Sequence, residues 1–155
     1  MPSLVTQKKT DTMKHFIKIT KALMLLFSVA MLFSACNKDD DIEEIFTGKA
    51  WNLTFIQDGV KRIVPQEGNY ILYFGATDFS FITPAGNTIT GNWIADGSSR
   101  SFICDKIATN GNIDNDIVAK SAMSVLKNAI RYDGDANWIQ IIEQPNNIYM
   151  QFYNR

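Results

Sequence analysis

The fold class of this chain is decided by residues 78–95, which read DFSFITPAGNTITGNWIA. Apolar and polar residues alternate from Asp78 to Thr83, and the alternation stops at Pro84. Alternation with a period of two is typical of a half-buried strand, and the glycine and asparagine after the proline favour a turn. Ile89 and Trp93 then fall on one face of the next stretch. The sequence therefore predicts two β-strands joined by a turn.

Strand patterns continue on both sides of this pair. They cover residues 51–55, 70–74, 100–108, 138–142 and 148–152. Turn signals separate them at Asp58-Gly59, at Asp96-Gly97-Ser98-Ser99 and at Gln144-Pro145-Asn146-Asn147. The last two strands flank the last of these turns, so they predict a C-terminal β-hairpin.

The period changes once, between Asp116 and Tyr132, where apolar residues recur at helical spacing. Asp114, Asn115 and Asp116 offer N-cap and first-turn acids, and Lys127 and Arg131 complement the dipole of the last turns. We expect Asp133-Gly134 to end this helix. The predicted fold class is α+β: an antiparallel β-sheet, barrel-like or made of two sheets, with one helix packed on it and a C-terminal β-hairpin.

An apolar run at residues 22–33 lies behind a basic segment and ahead of Ser34-Ala35-Cys36. The run is shorter than the roughly 20 residues that a membrane span needs, and it suits a signal peptide. The order predicts a lipoprotein signal peptide over residues 1–35 and a lipid on Cys36. Translation is expected to start at Met13, with residues 1–12 a gene-start artefact. The alternative is an uncleaved N-terminal membrane anchor.

Residues 36–45 form a predicted acidic tether, followed by a single domain over residues 46–155. Its residues Lys38, Asp39, Asp40 and Asp41 resemble the Lys-acidic-acidic export signal of surface lipoproteins of Bacteroidota. The resemblance implies a protein that is lipid-anchored in the outer membrane and exposed at the cell surface. The alternative is a solvated linker, and the two are compatible.

The composition of the chain disfavours several classes of function. Without residues 1–35, which hold five of the 15 basic and one of the 16 acidic side chains, the net charge of the chain is −5. That balance does not favour nucleic acid. The only histidine, His15, lies in the predicted signal, so histidine-based catalysis and the common zinc sites are not expected. Cys104 is predicted to be a buried hydrophobe rather than a reactive thiol.

A family resemblance spans residues 46–155. It rests on Gly48 with Trp51-Asn52-Leu53, on Gly91 before a tryptophan strand, on Ile107-Ala108-Thr109, and on a helix leading to Leu126 and Tyr132-Asp133-Gly134-Asp135. This pattern is similar to the META domain, the heat-shock lipoprotein-like family of small exported bacterial proteins. The chain resembles a diverged branch of uncharacterised Bacteroidota lipoproteins. The resemblance implies a compact antiparallel β fold with one helix and no established catalytic residues.

One run has part of the pattern of a metal site. Asp133, Asp135 and Asn137 place oxygen ligands at alternate positions, as the first half of a calcium loop does. A full loop needs glycine and glutamate where this chain has Trp138 and Gln144. The alternative is a turn that uses these residues for its backbone.

We therefore predict a non-enzymatic envelope lipoprotein that has no cofactor and an interaction or envelope-associated role. Its predicted partners are the membrane, through the lipid, and either a protein or a glycan. The alternative function is a surface module that binds a glycan or small ligand, because the chain is rich in aromatic residues. The tyrosines expected to be exposed for such binding are Tyr70, Tyr73, Tyr149 and Tyr153.

Overall fold

The structure, a computed structural model, describes residues 40–154. The predicted signal peptide, Cys36, Lys38 and Asp39 lie outside these residues. The described part contains two helices, α1 (Ile42–Phe46) and α2 (Ile117–Asn128). It also contains nine strands: β1 (Trp51–Asp58), β2 (Lys61–Ile63), β3 (Ile71–Phe74), β4 (Asp78–Ile82), β5 (Thr88–Asp96), β6 (Ser101–Asn110), β7 (Arg131–Gly134), β8 (Trp138–Gln144) and β9 (Ile148–Asn154).

The strands form one antiparallel sheet that closes on itself. From β3 to β9 each strand pairs with the next along the chain, and β1 pairs with both β3 and β9. Strand β2 pairs with β1. Eight strands therefore form a ring, and the predicted α+β class with an antiparallel sheet is confirmed in this broad form. Because strands alternate in direction, their connections gather at two opposite ends of the ring.

We call one end the α1 end. It holds the β3–β4, β5–β6 and β7–β8 turns and the start of β1. Phe46 of α1 is fully buried there, and its ring lies 5.0 Å from the rings of Phe74 and Tyr132 and 5.1 Å from that of Trp93. The backbone carbonyl of Phe46 accepts a hydrogen bond of 3.1 Å from the indole of Trp51. An aromatic cluster therefore seals this end.

The other end, the α2 end, holds the β1–β2, β4–β5 and β8–β9 turns. Helix α2 contacts β1, β6, β8 and β9. Its first turn is capped by Asp116, one of the three residues offered by the sequence, whose side chain accepts from the backbone N–H of Ala119 at 2.9 Å. Its buried face is aliphatic and consists of Val118, Ala119, Ala122, Val125 and Leu126.

The predicted helix was too long at its C-terminal end. It ends at Asn128, and residues Arg131–Gly134, expected to complete and terminate it, form β7 instead. The backbone of Ala129 is already extended, and the N–H of Ile130 donates to the carbonyl of Ile142 on β8. Pairing with β8 therefore overrides the helical period at this point.

Candidate functional site

The first described residue, Asp40, is bound to the α1 end. Its Oδ2 lies 2.9 Å from Nε of Arg100, and its Oδ1 accepts from Nη2 of Arg100 at 3.3 Å. The hydroxyl of Tyr132 donates to Oδ2 of Asp40 at 2.8 Å. The side chain of Arg100 also pairs with Asp133. Asp40 is thus held by one residue that follows the β5–β6 turn and by one residue of β7.

The backbone of Asp40 also contacts the β5–β6 turn. The N–H of Asp40 donates to the carbonyl of Gly97 at 3.3 Å. A Cβ added to Gly97 would overlap the backbone of Asp40, whose carbonyl carbon and nitrogen would both lie at 3.0 Å. Gly97 does not have a positive φ. The absence of a side chain at this position is therefore required by the close approach of Asp40 and not by the turn.

These contacts change proton affinities in the expected direction. The hydrogen bond with Asp40 raises the pKa of Arg100. Burial, followed by the hydrogen bond to Asp40, raises the pKa of Tyr132. Both residues are therefore held in the forms that this network requires, a cationic guanidinium and a neutral phenol.

The network corrects the predicted boundary between tether and domain. The Oδ1 atom of Asp41 accepts from the backbone N–H of Glu44 at 3.0 Å and caps α1. The segment predicted to be the second half of the tether is therefore helical and packed, so the folded part begins by Asp40 rather than at residue 46. Two members of the predicted export signal, Asp40 and Asp41, lie in this folded part. The signal for this docking is hard to see in sequence, because Asp40 and Arg100 are 60 residues apart.

A cleft of about 630 Å³ opens at the α2 end. It lies between the β2–β3 loop, the β4–β5 turn and the start of α2, and amide side chains from Gln66, Asn87 and Asn115 line it. Tyr70, expected to be exposed, is only 9% exposed and donates to both carboxylate oxygens of Asp116 at 3.0 Å. Burial and this carboxylate raise the pKa of Tyr70 to about 12.

A groove of about 510 Å³ lies beside β1. Its lining includes Asn52, Thr54, Asn69 and Tyr153. Tyr153 is 50% exposed, as predicted, and it combines an accessible ring with neighbouring amide and hydroxyl groups. Tyr73 is also exposed, whereas Tyr149 is half-buried.

A third cleft, of about 310 Å³, lies along α2. Asp58 at the end of β1 and Glu143 of β8 both line it, together with Lys120. Partial burial, and then the charge of Asp58, raise the pKa of Glu143. The sequence did not select this pair of carboxylates, because they lie 85 positions apart and meet only through the β8–β9 and β9–β1 pairings.

The family of this chain is established by comparison with known proteins. A family model described as "Domain of unknown function (DUF4847)" matches residues 57–154. The chain belongs to this family. A solved crystal structure of a DUF4847 family protein from Bacteroides vulgatus ATCC 8482 is similar to 72% of this chain and to 96% of its own chain, with a TM-score of 0.54 and 22% identity. That identity shows a shared fold alone. No curated protein matches.

The family shown for this chain is DUF4847, and the resemblance to the META domain stays a prediction. The DUF4847 match includes Gly97, Arg100 and Tyr132, but it begins after Asp40 and α1. The residues that receive Asp40 therefore belong to the DUF4847 match, whereas Asp40 lies in the segment that precedes it.

Of the predicted calcium ligands, Asp133 lies in β7, and Asp135 and Asn137 lie in the β7–β8 turn. Asp133 pairs with Arg100, and Oδ1 of Asp135 accepts from the backbone N–H of Asn137 at 2.7 Å and of Trp138 at 3.3 Å. Within residues 40–154, no group of three or more His, Cys, Asp or Glu side chains is arranged to hold a metal ion. The calcium site stays a prediction, with these oxygens already serving the turn and the network around Arg100.

Two further sequence predictions concern the same domain. Cys104 is buried, as predicted, and burial raises the pKa of its thiol to about 12. Among residues 40–154, no helix is long and apolar enough to cross a membrane.

Proposed function

We propose that this chain is a non-enzymatic lipoprotein of the cell envelope, anchored in the outer membrane through a lipid on Cys36 and exposed at the surface. Its role is interaction with another protein or with the envelope. The eight-stranded ring serves as a small, barrel-like scaffold of the kind expected for a META-like domain. No catalytic residue and no cofactor is assigned.

The observation that carries the proposal is the binding of Asp40 to the domain. Asp40 is bound by Arg100 and Tyr132, and it follows the predicted lipidation site by four residues. A residue bound to the domain so soon after Cys36 is expected of a protein held against a membrane by a short tether. A stable anchor needs more than one acyl chain, which a triacylated cysteine supplies.

The chemistry of the side chains also supports a binding role. The only histidine is His15, in the segment predicted to be removed. The carboxylates of Asp40, Asp116 and Asp133 are bound to structural partners. Surfaces that remain available are the two clefts and the groove, which suit recognition.

Protease shaving of intact cells tests the location. We expect the wild-type protein to be digested while an internal periplasmic marker stays intact. A Cys36→Ala variant should incorporate no labelled fatty acid, and any of it that floats with membranes should be the longer unprocessed species. Protection of the wild type until the outer membrane is opened would contradict surface exposure. Incorporation of labelled fatty acid into Cys36→Ala would contradict lipidation at Cys36.

A second candidate function is glycan binding at the groove beside β1. The half-exposed ring of Tyr153 supports it, because sugar rings stack on accessible aromatic faces while amides bind their hydroxyls. On a glycan array, Tyr153→Ala should lose binding. Tyr73→Ala is the matched control, since Tyr73 is 41% exposed and does not line the groove. An array without hits, or equal losses in both variants, would contradict a site at Tyr153.

A further inference from the structure

We propose that the contacts of Asp40 form a latch that fixes the orientation of the domain on the bilayer, with the α1 end facing the lipid and the α2 end facing away. This inference rests on the proposed lipidation of Cys36. It identifies the lipid surface as the neighbour of the β5–β6 and β7–β8 turns.

The latch combines three kinds of contact at one residue. Asp40 makes an ion pair with Arg100, accepts a hydrogen bond from Tyr132 and donates a backbone hydrogen bond to Gly97. Its side chain is 20% exposed, so water competes with these contacts only in part. Charge-assisted hydrogen bonds of this kind are stronger than neutral ones. The chain is thereby held at Asp40 before α1 begins.

The remaining tether is short. Three residues, Asn37, Lys38 and Asp39, separate Cys36 from Asp40. Even a fully extended chain spans only about 14 Å over four residues. The unlatched alternative is a tether that runs to residue 45, which could reach more than twice as far and would let the domain turn in any direction. The latch therefore shortens the flexible tether and attaches it to the α1 end of the ring.

The opposite end is then presented away from the lipid. Strand β1 has eight residues and β5 has nine, so the two ends lie about 25–30 Å apart along a strand. The largest cleft, lined by Gln66, Asn87 and Asn115, opens at the α2 end. Val60, in the β1–β2 turn, is fully exposed there. An incoming ligand would meet these groups first.

The acidic turns at the α1 end do not by themselves attract this end of the ring to an anionic lipid surface. Asp96 and Asp135 lie in its turns, and their carboxylates accept hydrogen bonds from nearby turn residues. Hydrogen bonds from Ser98 and Ser99 lower the pKa of Asp96 to about 2, so it is ionised at neutral pH. An acidic turn does not attract an anionic bilayer. The α1 end is therefore brought to the lipid by the anchor and does not bind it independently.

The experiment measures fluorescence quenching in reconstituted vesicles. Full-length lipoprotein carrying Ser98→Cys or Val60→Cys is labelled with a fluorophore and inserted into phosphatidylcholine vesicles that contain head-group spin-labelled lipid. Lipidation blocks Cys36 and Cys104 is buried, so the introduced thiol takes the label. We expect the label at position 98 to be quenched several-fold more than the label at position 60. Equal quenching, or stronger quenching at position 60, would overturn the orientation.

Two variants test the latch itself. Arg100→Gln removes the ion pair, and Gly97→Ala places a methyl group against the backbone of Asp40. Each should reduce the quenching ratio between positions 98 and 60 towards one. Lys120→Gln, a charge loss of the same size on α2 in the cleft beside Asp58 at the other end of β1, should leave the ratio unchanged. An unchanged ratio in both latch variants would show that Asp40 does not set the orientation.

Hydrogen exchange without vesicles keeps the two proposals distinguishable. The amide of Ile45 donates to the carbonyl of Asp41, so it reports whether the segment after the latch is folded. It should be protected in the wild type and exchange faster in Arg100→Gln. If the protein carries no lipid but Ile45 is protected, the anchor proposal fails and the orientation falls with it, while the docking of Asp40 stands. If Ile45 exchanges freely in the wild type, the latch is wrong whether or not the protein is lipidated.

Discussion

The two ends of the ring are closed in different ways. At the α1 end a helix of five residues inserts the ring of Phe46 among aromatic side chains, and the ion pair between Asp40 and Arg100 lies beside it. At the α2 end a helix of 12 residues covers the sheet with small and aliphatic side chains, and clefts remain on its borders. One end is sealed by side chains of a short segment, and the other is covered by a helix that leaves space.

The difference indicates where each end obtains its stability. A helix of five residues is far below the length at which a helix persists alone, so α1 depends on its tertiary contacts. Helix α2 has an N-cap at Asp116 and a continuous buried face, so it can tolerate incomplete packing at its edges. The α1 end is therefore the tightly packed one, and the α2 end holds the two clefts, while the groove at Asn52 and Tyr153 lies beside the start of β1.

The largest expected loss of stability comes from truncating a large buried side chain at each end of the ring. Phe46→Ala should lower the free energy of unfolding by about 4 kcal/mol, and Leu126→Ala by about 3 kcal/mol, because both side chains are fully buried. Urea denaturation of the two variants measures both values. A loss below about 1 kcal/mol for Phe46→Ala would mean that α1 does not seal its end.

The next effect concerns the ion pair. Asp40→Asn and Arg100→Gln should each cost about 1 kcal/mol, a modest value because the side chain of Arg100 is 39% exposed. A double-mutant cycle should give a total smaller than the sum of the two losses, since both remove the same contact. Fully additive losses would show that the two side chains are not coupled in solution.

The substitution Tyr70→Phe should have the smallest effect on stability at neutral pH and a specific effect at high pH. Burial raises its pKa from 10.0 to about 12 in the folded protein. The resulting stability is therefore complete below pH 10 and is lost as the pH rises through 12. Tyr132 and Cys104 shift in the same direction. Melting temperatures of the wild type should fall across this range, and Tyr70→Phe should make the fall shallower. A parallel fall in both proteins would exclude Tyr70 as a contributor.

The sequence predicted the long strands and the start of α2, because alternation and an N-cap are local signals. It missed β2, which has only three residues, and β7, whose residues continue the apolar spacing of α2. It also expected Tyr70 to be exposed, although this residue packs beneath the α2 cap. The burial of Tyr70 depends on Asp116, a partner that is 46 residues away in the sequence.

The contacts of Asp40 were harder to predict because its partners lie far away in the sequence. The acidic run at residues 38–41 has the composition of a solvated linker, and nothing near it indicates that Asp40 would pair with Arg100. The isolated glycine at position 97 looks like an ordinary turn residue until the backbone of Asp40 is seen against it. The contacts of Asp40 therefore became visible only in the structure.

The pairing of β1 with β9 has a consequence for the order of events in the life of the chain. Residues 51–58 pair with β2 and β3 nearby in the chain, but the pairing that closes the ring joins them to residues 148–154. During synthesis, the ring therefore cannot close until β9 has been made. Such long-range pairing makes folding slow relative to helical domains of the same size. The ring is thus completed only when β9 is available to pair with β1.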